Sequence, residues 1–306
     1  METDVLKPQS QNLLYDPHFN SLVPAVKFTR RGFITGSVAT SLAAGFALSA
    51  GPVAAQTAIS TSSEGINGVD IKVKVEGGDM PGYVASPAKP GKRPVVIVVP
   101  EIFGMHRYQQ DICRRLAKLG YFAVTFDPYF RKGDLSKMTD IKEVLPIANG
   151  LDDKTMLADL DALVAWVEKQ PNANAKKVGI TGMCRGGRTV WMYTAHSKKI
   201  KAGVSWYGGL NAAPPAMPLT PLDIADQLHA PVLGLYGGAD TGIPVVMVER
   251  MRAALLAFGK EKESIIHVYP DMPHAFHADY RPSYRKEAAE DGWKRMLAWF
   301  RKNGVV

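Results

Sequence analysis

Val178-Gly-Ile-Thr-Gly-Met-Cys184-Arg-Gly-Gly187 places a cysteine inside a G-x-C-x-G pattern, after a short apolar run and before a helix-compatible segment. Such a strand-to-helix elbow carries a nucleophile, here a thiol where serine usually stands. Gly182 and Gly186 let the backbone turn sharply and let neighbouring segments approach, so Cys184 can project from the turn. The bland reading of the same residues is a buried cysteine in a glycine-rich turn, so other residues must decide.

A thiol nucleophile needs a base and a group to orient that base. Asp240 follows an apolar run ending at Tyr236 through Gly237-Gly238-Ala239, and His274 follows a run ending at Tyr269 through Pro270-Asp271-Met272-Pro273. The order Cys184, Asp240, His274 is the nucleophile, acid, histidine order of α/β-hydrolases. Asp240 also qualifies as a cap for a helix beginning near Pro244. His277 and His267 compete with His274, which is preferred because it comes first after its turn. After the run Pro94 to Val99, the Pro100-Glu-Ile-Phe-Gly104 loop is placed to give one main-chain donor of an oxyanion hole, from Ile102, while Arg185 gives the other. A carboxylate beside that hole would repel an oxyanion, so Glu101 requires either a structural partner or a role with the thiol.

The elements that must position these groups are visible as alternation. Pro94 to Val99, Phe122 to Phe126, Val178 to Thr181, Ala202 to Trp206, Val232 to Tyr236 and Ile265 to Tyr269 read as buried strands. Helix-period segments lie between them: Arg107 to Leu119, Leu157 to Val167, Arg188 to Ala195 and Val245 to Phe258, with a last one from Ala289 to Phe300. Alternation of this kind predicts one doubly wound, mostly parallel sheet with helices on both faces, and the nucleophile, acid, histidine order makes it resemble the α/β-hydrolase fold. Ile71 to Val75 and Met80 to Ala85 are expected to pair antiparallel across Glu76-Gly-Gly-Asp79, and Arg131 to Thr155 reads as a long irregular loop.

Composition narrows the function class. A hydrophobic share of 46% with 22% charged residues is that of a globular enzyme domain. The net charge of +8 is spread among acids rather than gathered in runs, which argues against a nucleic-acid surface and for mild attraction of anionic ligands. Two cysteines build no disulfide framework, metal-ligand spacing is absent, and no cofactor or metal is expected. Cys113 falls in a helix-period pattern with Ile112 and Leu116 and reads as a buried small hydrophobe. Thr29-Arg30-Arg31-Gly32-Phe33, an Ala/Gly/Ser-rich run to Ala50, and Val53-Ala54-Ala55 resemble a twin-arginine export signal. The expectation is a leader over 1–55, cleaved near Ala55, a mature domain over 56–306, no stable membrane anchor, and a periplasmic or secreted enzyme delivered by the twin-arginine export machinery.

Pro100-Glu-Ile-Phe-Gly104, Asp127-Pro-Tyr-Phe-Arg131, Gly182-Met-Cys-Arg-Gly-Gly187, Trp206-Tyr-Gly-Gly209, Gly237-Gly-Ala-Asp240 and His274-Ala-Phe276 together resemble the dienelactone hydrolase (carboxymethylenebutenolidase) family, from about Gly68 to Trp299. The resemblance implies that Glu101 accepts the thiol proton when substrate binds, that Asp240 and His274 serve the thiolate and the hydrolytic water, and that Arg131 binds a substrate carboxylate. Ala278 stands where that family's second anion-binding arginine is expected, with Arg281 nearby. The implied substrate is a small anionic enol lactone or activated ester, opened through an acyl-thioester. Another carboxylic ester or thioester on the same triad is the nearest alternative, and a periplasmic thiol redox or binding protein is the reading from a different class.

Overall fold

The computed structural model describes residues 60–138, 140–210 and 214–306; the leader assigned to 1–55 lies outside the described residues. Eight strands form one sheet: β1 (Ile66–Val75), β2 (Gly78–Pro87), β3 (Arg93–Val99), β4 (Phe122–Phe126), β5 (Ala173–Met183), β6 (Ile200–Trp206), β7 (Val232–Gly237) and β8 (Ile265–Tyr269). Their spatial order is β1-β2-β4-β3-β5-β6-β7-β8. β1 and β2 are antiparallel to each other, and β2 is antiparallel to β4, whereas all pairs from β4 through β8 are parallel.

The α-helices among the described residues are α1 (Arg107–Lys118), α2 (Ile141–Gly150), α3 (Asp153–Glu168), α4 (Arg185–His196) and α5 (Val245–Ala257), which lie between strands, and α6 (Lys286–Lys302), which follows β8. Residues 95–99 of β3 and 178–183 of β5 are buried without alternation. Because successive strand side chains point to opposite faces, continuous burial requires both faces of the sheet to be covered. β1 instead follows its antiparallel partner at the sheet edge and exposes most of its residues. The expected hairpin is present, with Gly77 and Gly78 at φ of 85° and 136° making the turn.

The irregular loop expected over Arg131 to Thr155 is not what the chain builds. It holds two short 3-10 turns and the whole of α2, and Asp153 already opens α3. Asp140 and Asp152 cap these helices by accepting from the Lys142 and Thr155 N–H groups, and Pro146 within α2 blurs the periodicity that would have betrayed it. Val144 and Ala148 of α2 join Ile102, Phe103, Tyr129 and Leu135 in a small apolar cluster separate from the main core. That cluster roofs the carboxyl end of β3, the end where an open α/β sheet carries its site.

Candidate active site

β5 ends at Met183, and α4 begins at Arg185, leaving Cys184 alone at the junction with φ 55° and ψ −115°. A non-glycine residue at positive φ is strained, and the elbow is held from several sides. The Cys184 N–H donates to Trp206 O (3.0 Å), and the Cys184 carbonyl accepts from Arg188 N (3.1 Å). A Cβ on Gly182 would stand 2.4 Å from Gly186 O, and one on Gly186 would stand 2.3 Å from Val99 O. Both glycines are therefore required by close backbone approach, and Gly186 brings the elbow against the start of the Pro100–Gly104 loop. The Ile102 and Arg185 N–H groups do not donate in any turn or loop backbone hydrogen bond of the described residues.

Asp240 and His274 meet as the sequence implies. His274 Nδ1 lies 2.7 Å from Asp240 Oδ2, both side chains being buried. Asp240 Oδ1 also accepts from the N–H groups of Gly242 (2.8 Å) and Ile243 (3.1 Å), which fixes the carboxylate ahead of α5. Asp240 does not cap α5, whose N-cap is Pro244 without a side-chain bond; its second oxygen closes the turn ahead of the helix instead. Burial by itself would make His274 less basic, but the Asp240 charge, a negative charge on Cys184 and hydrogen bonds to both outweigh it and push the imidazole up to about 10. His274 is consequently held as imidazolium near neutral pH, the form that neutralises a thiolate. The edge of Tyr207 packs on its ring, centroids 5.0 Å apart, which restricts the ring's orientation.

The positive-φ residues other than glycine among the described ones are Cys184, Tyr207 and Ala275. One is the elbow, one packs on His274, and one follows it in the chain, so the backbone strain of this fold is concentrated around a single group of side chains. The competing histidines do other work. His277 is buried between Trp206 and Trp293, pairs with the Tyr108 hydroxyl, and is driven down to about 3 by burial, so it stays neutral in the core. His267 lies half-buried within β8 against Tyr269. Cys113 is buried inside α1, and burial pushes its thiol well above the usual range, as expected of a small core side chain.

Glu101 has its partners. Its Oε2 accepts from the Tyr280 hydroxyl (2.7 Å) and from Arg281 Nη2 (2.8 Å), and its exposure is only 1%. Burial pushes this carboxyl up, yet the Arg281 charge and the two hydrogen bonds prevail and hold it below the usual carboxylate range. Arg281 is also stacked near Phe103 and Tyr280. The uncertain arginine after His274 is thereby placed at the centre of the site, seven positions along the same loop. Tyr280, which delivers the second hydrogen bond, is not singled out by the sequence; its only signal is its position beside Arg281 in the loop after His274.

Arg131 is a correction. It does not join Glu101 and Arg281 but makes a two-armed ion pair with Asp159 of α3 (2.8 and 2.7 Å) and donates through Nε to Glu76 O (2.9 Å). The β1–β2 turn lies directly over it, a Cβ at Gly77 being 2.9 Å from its Nε. The guanidinium ties the hairpin to α3, so its donors are spent on structure rather than offered to a ligand. The rest of its motif does reach the site: Asp127 accepts from Tyr129 N (3.0 Å) and packs on Gly104, whose φ of 69° and lack of a side chain leave room for the carboxylate.

A sequence model of the dienelactone hydrolase family matches residues 80–304. A Methylorubrum extorquens protein provisionally named a carboxymethylenebutenolidase is 48% identical over 294 residues, covering 95% of this chain and 99% of that protein. A Bradyrhizobium protein provisionally named a 2-oxo-3-(5-oxofuran-2-ylidene)propanoate lactonase is 33% identical, covering 72% of this chain and 88% of its own. A crystal structure from Klebsiella pneumoniae, described provisionally as a dienelactone hydrolase, superposes with a TM-score of 0.74 at 45% identity over 78% of this chain and 99% of that one. Taken with a cysteine elbow and a buried aspartate–histidine pair on an eight-stranded α/β sheet, these similarities make the chain a member of the dienelactone hydrolase family and a hydrolase.

Proposed function

We propose that this hydrolase opens small anionic enol lactones, or closely related activated esters, by transferring their acyl group to Cys184. The observation that carries the reading is the Glu101–Arg281 ion pair beside the elbow. While Arg281 and Tyr280 hold Glu101, the carboxylate is too weak a base to take a proton from a thiol. An incoming carboxylate that draws Arg281 away removes the charge that keeps Glu101 acidic, and burial then makes it a better proton acceptor. The thiol proton passes to Glu101, and the thiolate, facing the His274 imidazolium, attacks the acyl carbon. The tetrahedral oxyanion is received by the Ile102 and Arg185 N–H groups. Collapse expels the alcohol-side oxygen and leaves a thioester. Water deprotonated by His274, once that group has given up its proton to the leaving oxygen, attacks the thioester, and the expelled thiolate takes back the proton held by Glu101, which restores the thiol and the carboxylate.

Cysteine sets the substrate class. A thiolate is itself a good leaving group, so the tetrahedral adduct goes forward only when the other oxygen leaves as readily. An enolate does, and an alkoxide does not. The lactone named for the Bradyrhizobium relative, which joins a furanylidene ring to a carboxylate, has this chemistry. Stopped-flow kinetics on the leaderless protein should show opening of a carboxylate-bearing enol lactone at least about 100-fold faster than hydrolysis of an ethyl ester of similar size, about 3 kcal/mol of barrier. Faster turnover of the alkyl ester would reject the reading. A folded protein inert to both, with a peroxide-sensitive Cys184, would favour the thiol redox alternative.

The leader is read as a twin-arginine signal directing the folded enzyme across the membrane, supported by Arg30-Arg31 and the small-residue run after them. Fractionation of cells expressing the full chain should recover a shortened protein in the periplasm or medium, and an Arg30→Lys, Arg31→Lys pair should retain it in the cytoplasm. Cytoplasmic recovery of the unaltered, full-length chain would remove the export assignment.

A further inference from the structure

Arg185 does more than lend its main chain to the elbow. Its side chain is 7% exposed, Nη2 donates to Leu151 O (2.9 Å) at the junction of α2 and α3, and Nε has no acceptor among the described residues. Among the described residues no carboxylate pairs with it. Asp153, an acid that acts on it electrostatically, is held by both arms of Arg188 at 2.6 and 2.8 Å. Tyr129, in the apolar cluster of the α2 roof, is 2% exposed and its hydroxyl too has no partner. Arg185, Tyr129 and Cys184 are mutual electrostatic neighbours, and burial, with Arg188 adding to it, presses the guanidinium below its ordinary range.

A buried cation without a counter-charge and a buried phenol without a partner each cost stability, and native proteins keep such groups sparingly. Their shared neighbour is the nucleophile. Arg281 stays committed to Glu101 until substrate draws it away, whereas Arg185 has no ion pair among the described residues and can hold an anion before that exchange. Arg131, expected from the sequence to receive the carboxylate, is engaged elsewhere.

We propose that the Arg185 guanidinium and the Tyr129 hydroxyl form a carboxylate subsite under the α2 roof, which docks the anionic end of the substrate and so determines specificity for acidic acyl compounds. The inference deepens the hydrolase reading, because it assigns the side chain that selects anionic substrates. Arg185 therefore serves twice: its N–H faces the oxyanion and its side chain faces the carboxylate. Ring opening of an anionic lactone creates a second carboxylate, so the product is a dicarboxylate and binds at the same subsite.

The test is calorimetric titration of the full domain with glutarate and, separately, with its neutral dimethyl ester, for wild type, Arg185→Gln, Arg185→Lys and Tyr129→Phe. Wild type should bind glutarate and not the diester. Arg185→Gln should weaken glutarate about 10- to 100-fold, as expected for a lost charge-assisted pair, with Arg185→Lys intermediate and Tyr129→Phe weakened about threefold. In turnover, Arg185→Gln should raise KM for an anionic enol lactone at least about tenfold more than it raises KM for the neutral methyl ester of the same lactone, with kcat on the two falling alike. Absence of glutarate binding to wild type, equal binding by Arg185→Gln, or an equal rise in KM on both substrates, which marks a strut for the roof, overturns the subsite. Should Arg185→Gln fail to fold, Arg185→Lys and Tyr129→Phe decide by the same criteria. Because glutarate is not turned over, this result stands apart from the enol lactone assay: binding lost in the variant without lactone opening by wild type would reject the hydrolase substrate and keep the subsite.

Discussion

Alanine at Cys184 is expected to abolish enol lactone opening, by a factor on the order of 10⁶, because the acyl group then has no nucleophile to accept it and only the residual binding and oxyanion contacts remain. Serine at the same position is the more informative change. It preserves the hydroxyl-sized nucleophile and the elbow at φ 55°, yet a hydroxyl must be deprotonated during attack by a true base. The Asp240 charge still favours the protonated imidazole in this variant, so His274 is a poor acceptor for the hydroxyl proton. Cys184→Ser should thus lose about 10²- to 10⁴-fold, the range that general base assistance supplies. Both variants should keep the wild-type circular dichroism and melting temperature to within a few degrees, because Gly182, Gly186 and the Cys184 main-chain hydrogen bonds that shape the elbow are untouched. A mass-shifted acyl-enzyme trapped on the wild type and absent from Cys184→Ala would identify the thioester directly. Retention of turnover by the alanine variant would remove Cys184 from the chemistry altogether.

Asp240→Asn is expected to be nearly as damaging, about 10⁴-fold in kcat, the scale seen when the acid of a catalytic triad becomes an amide. The amide keeps the size and the bonds to the Gly242 and Ile243 N–H groups but takes away the charge that holds His274 protonated and oriented. The same change has a signature in stability. His274 is raised from about 6.5 unfolded to about 10 folded, so the folded state binds the proton more tightly and the imidazolium pair stabilises the protein fully below pH 6.5. That contribution is lost as pH rises through 10. Denaturant unfolding should show the largest gap between wild type and Asp240→Asn near pH 6, narrowing steadily towards pH 10. A gap that stays constant or widens over that interval would mean that His274 does not draw its basicity from Asp240.

The comparison between these two variants also separates the roles within the pair. Loss of the thiol removes the bond-forming atom and part of what raises His274, while Asp240 still faces the ring at 2.7 Å. Loss of Asp240 leaves the thiol and the edge contact with Tyr207 but takes away the larger electrostatic support of the imidazolium.

Much of this arrangement was legible before any coordinate. The G-x-C-x-G elbow, the order Cys184, Asp240, His274 and the run of short apolar segments follow from local rules: glycine where backbones must nearly touch, continuous apolar strands where both sheet faces are covered, and acids and histidines just beyond strand ends. Those rules act over a few residues, so a one-dimensional reading captures them. The helix α2 escaped because Pro146 interrupts the short apolar pattern over 141–150, and packing against Ile102 and Tyr129 supplies what local preference does not.

Which charge meets which was decided by the tertiary structure alone. Motif position sent Arg131 towards a ligand, whereas folding spends it on Asp159 and the β1–β2 turn. Arg281, whose spacing from His274 is irregular, is the cation that reaches Glu101, because the loop after His274 folds back over the Pro100–Gly104 segment and brings Tyr280 with it. Arg185, read from sequence as a main-chain donor, carries a buried guanidinium whose state depends on Leu151, more than thirty positions earlier. The sequence by itself therefore determined the nucleophile, its acid and histidine and the sheet that presents them, since these rest on local backbone geometry. Only the folded chain decided the pairing of the arginines, because long flexible side chains find their partners through space, where sequence separation carries no information.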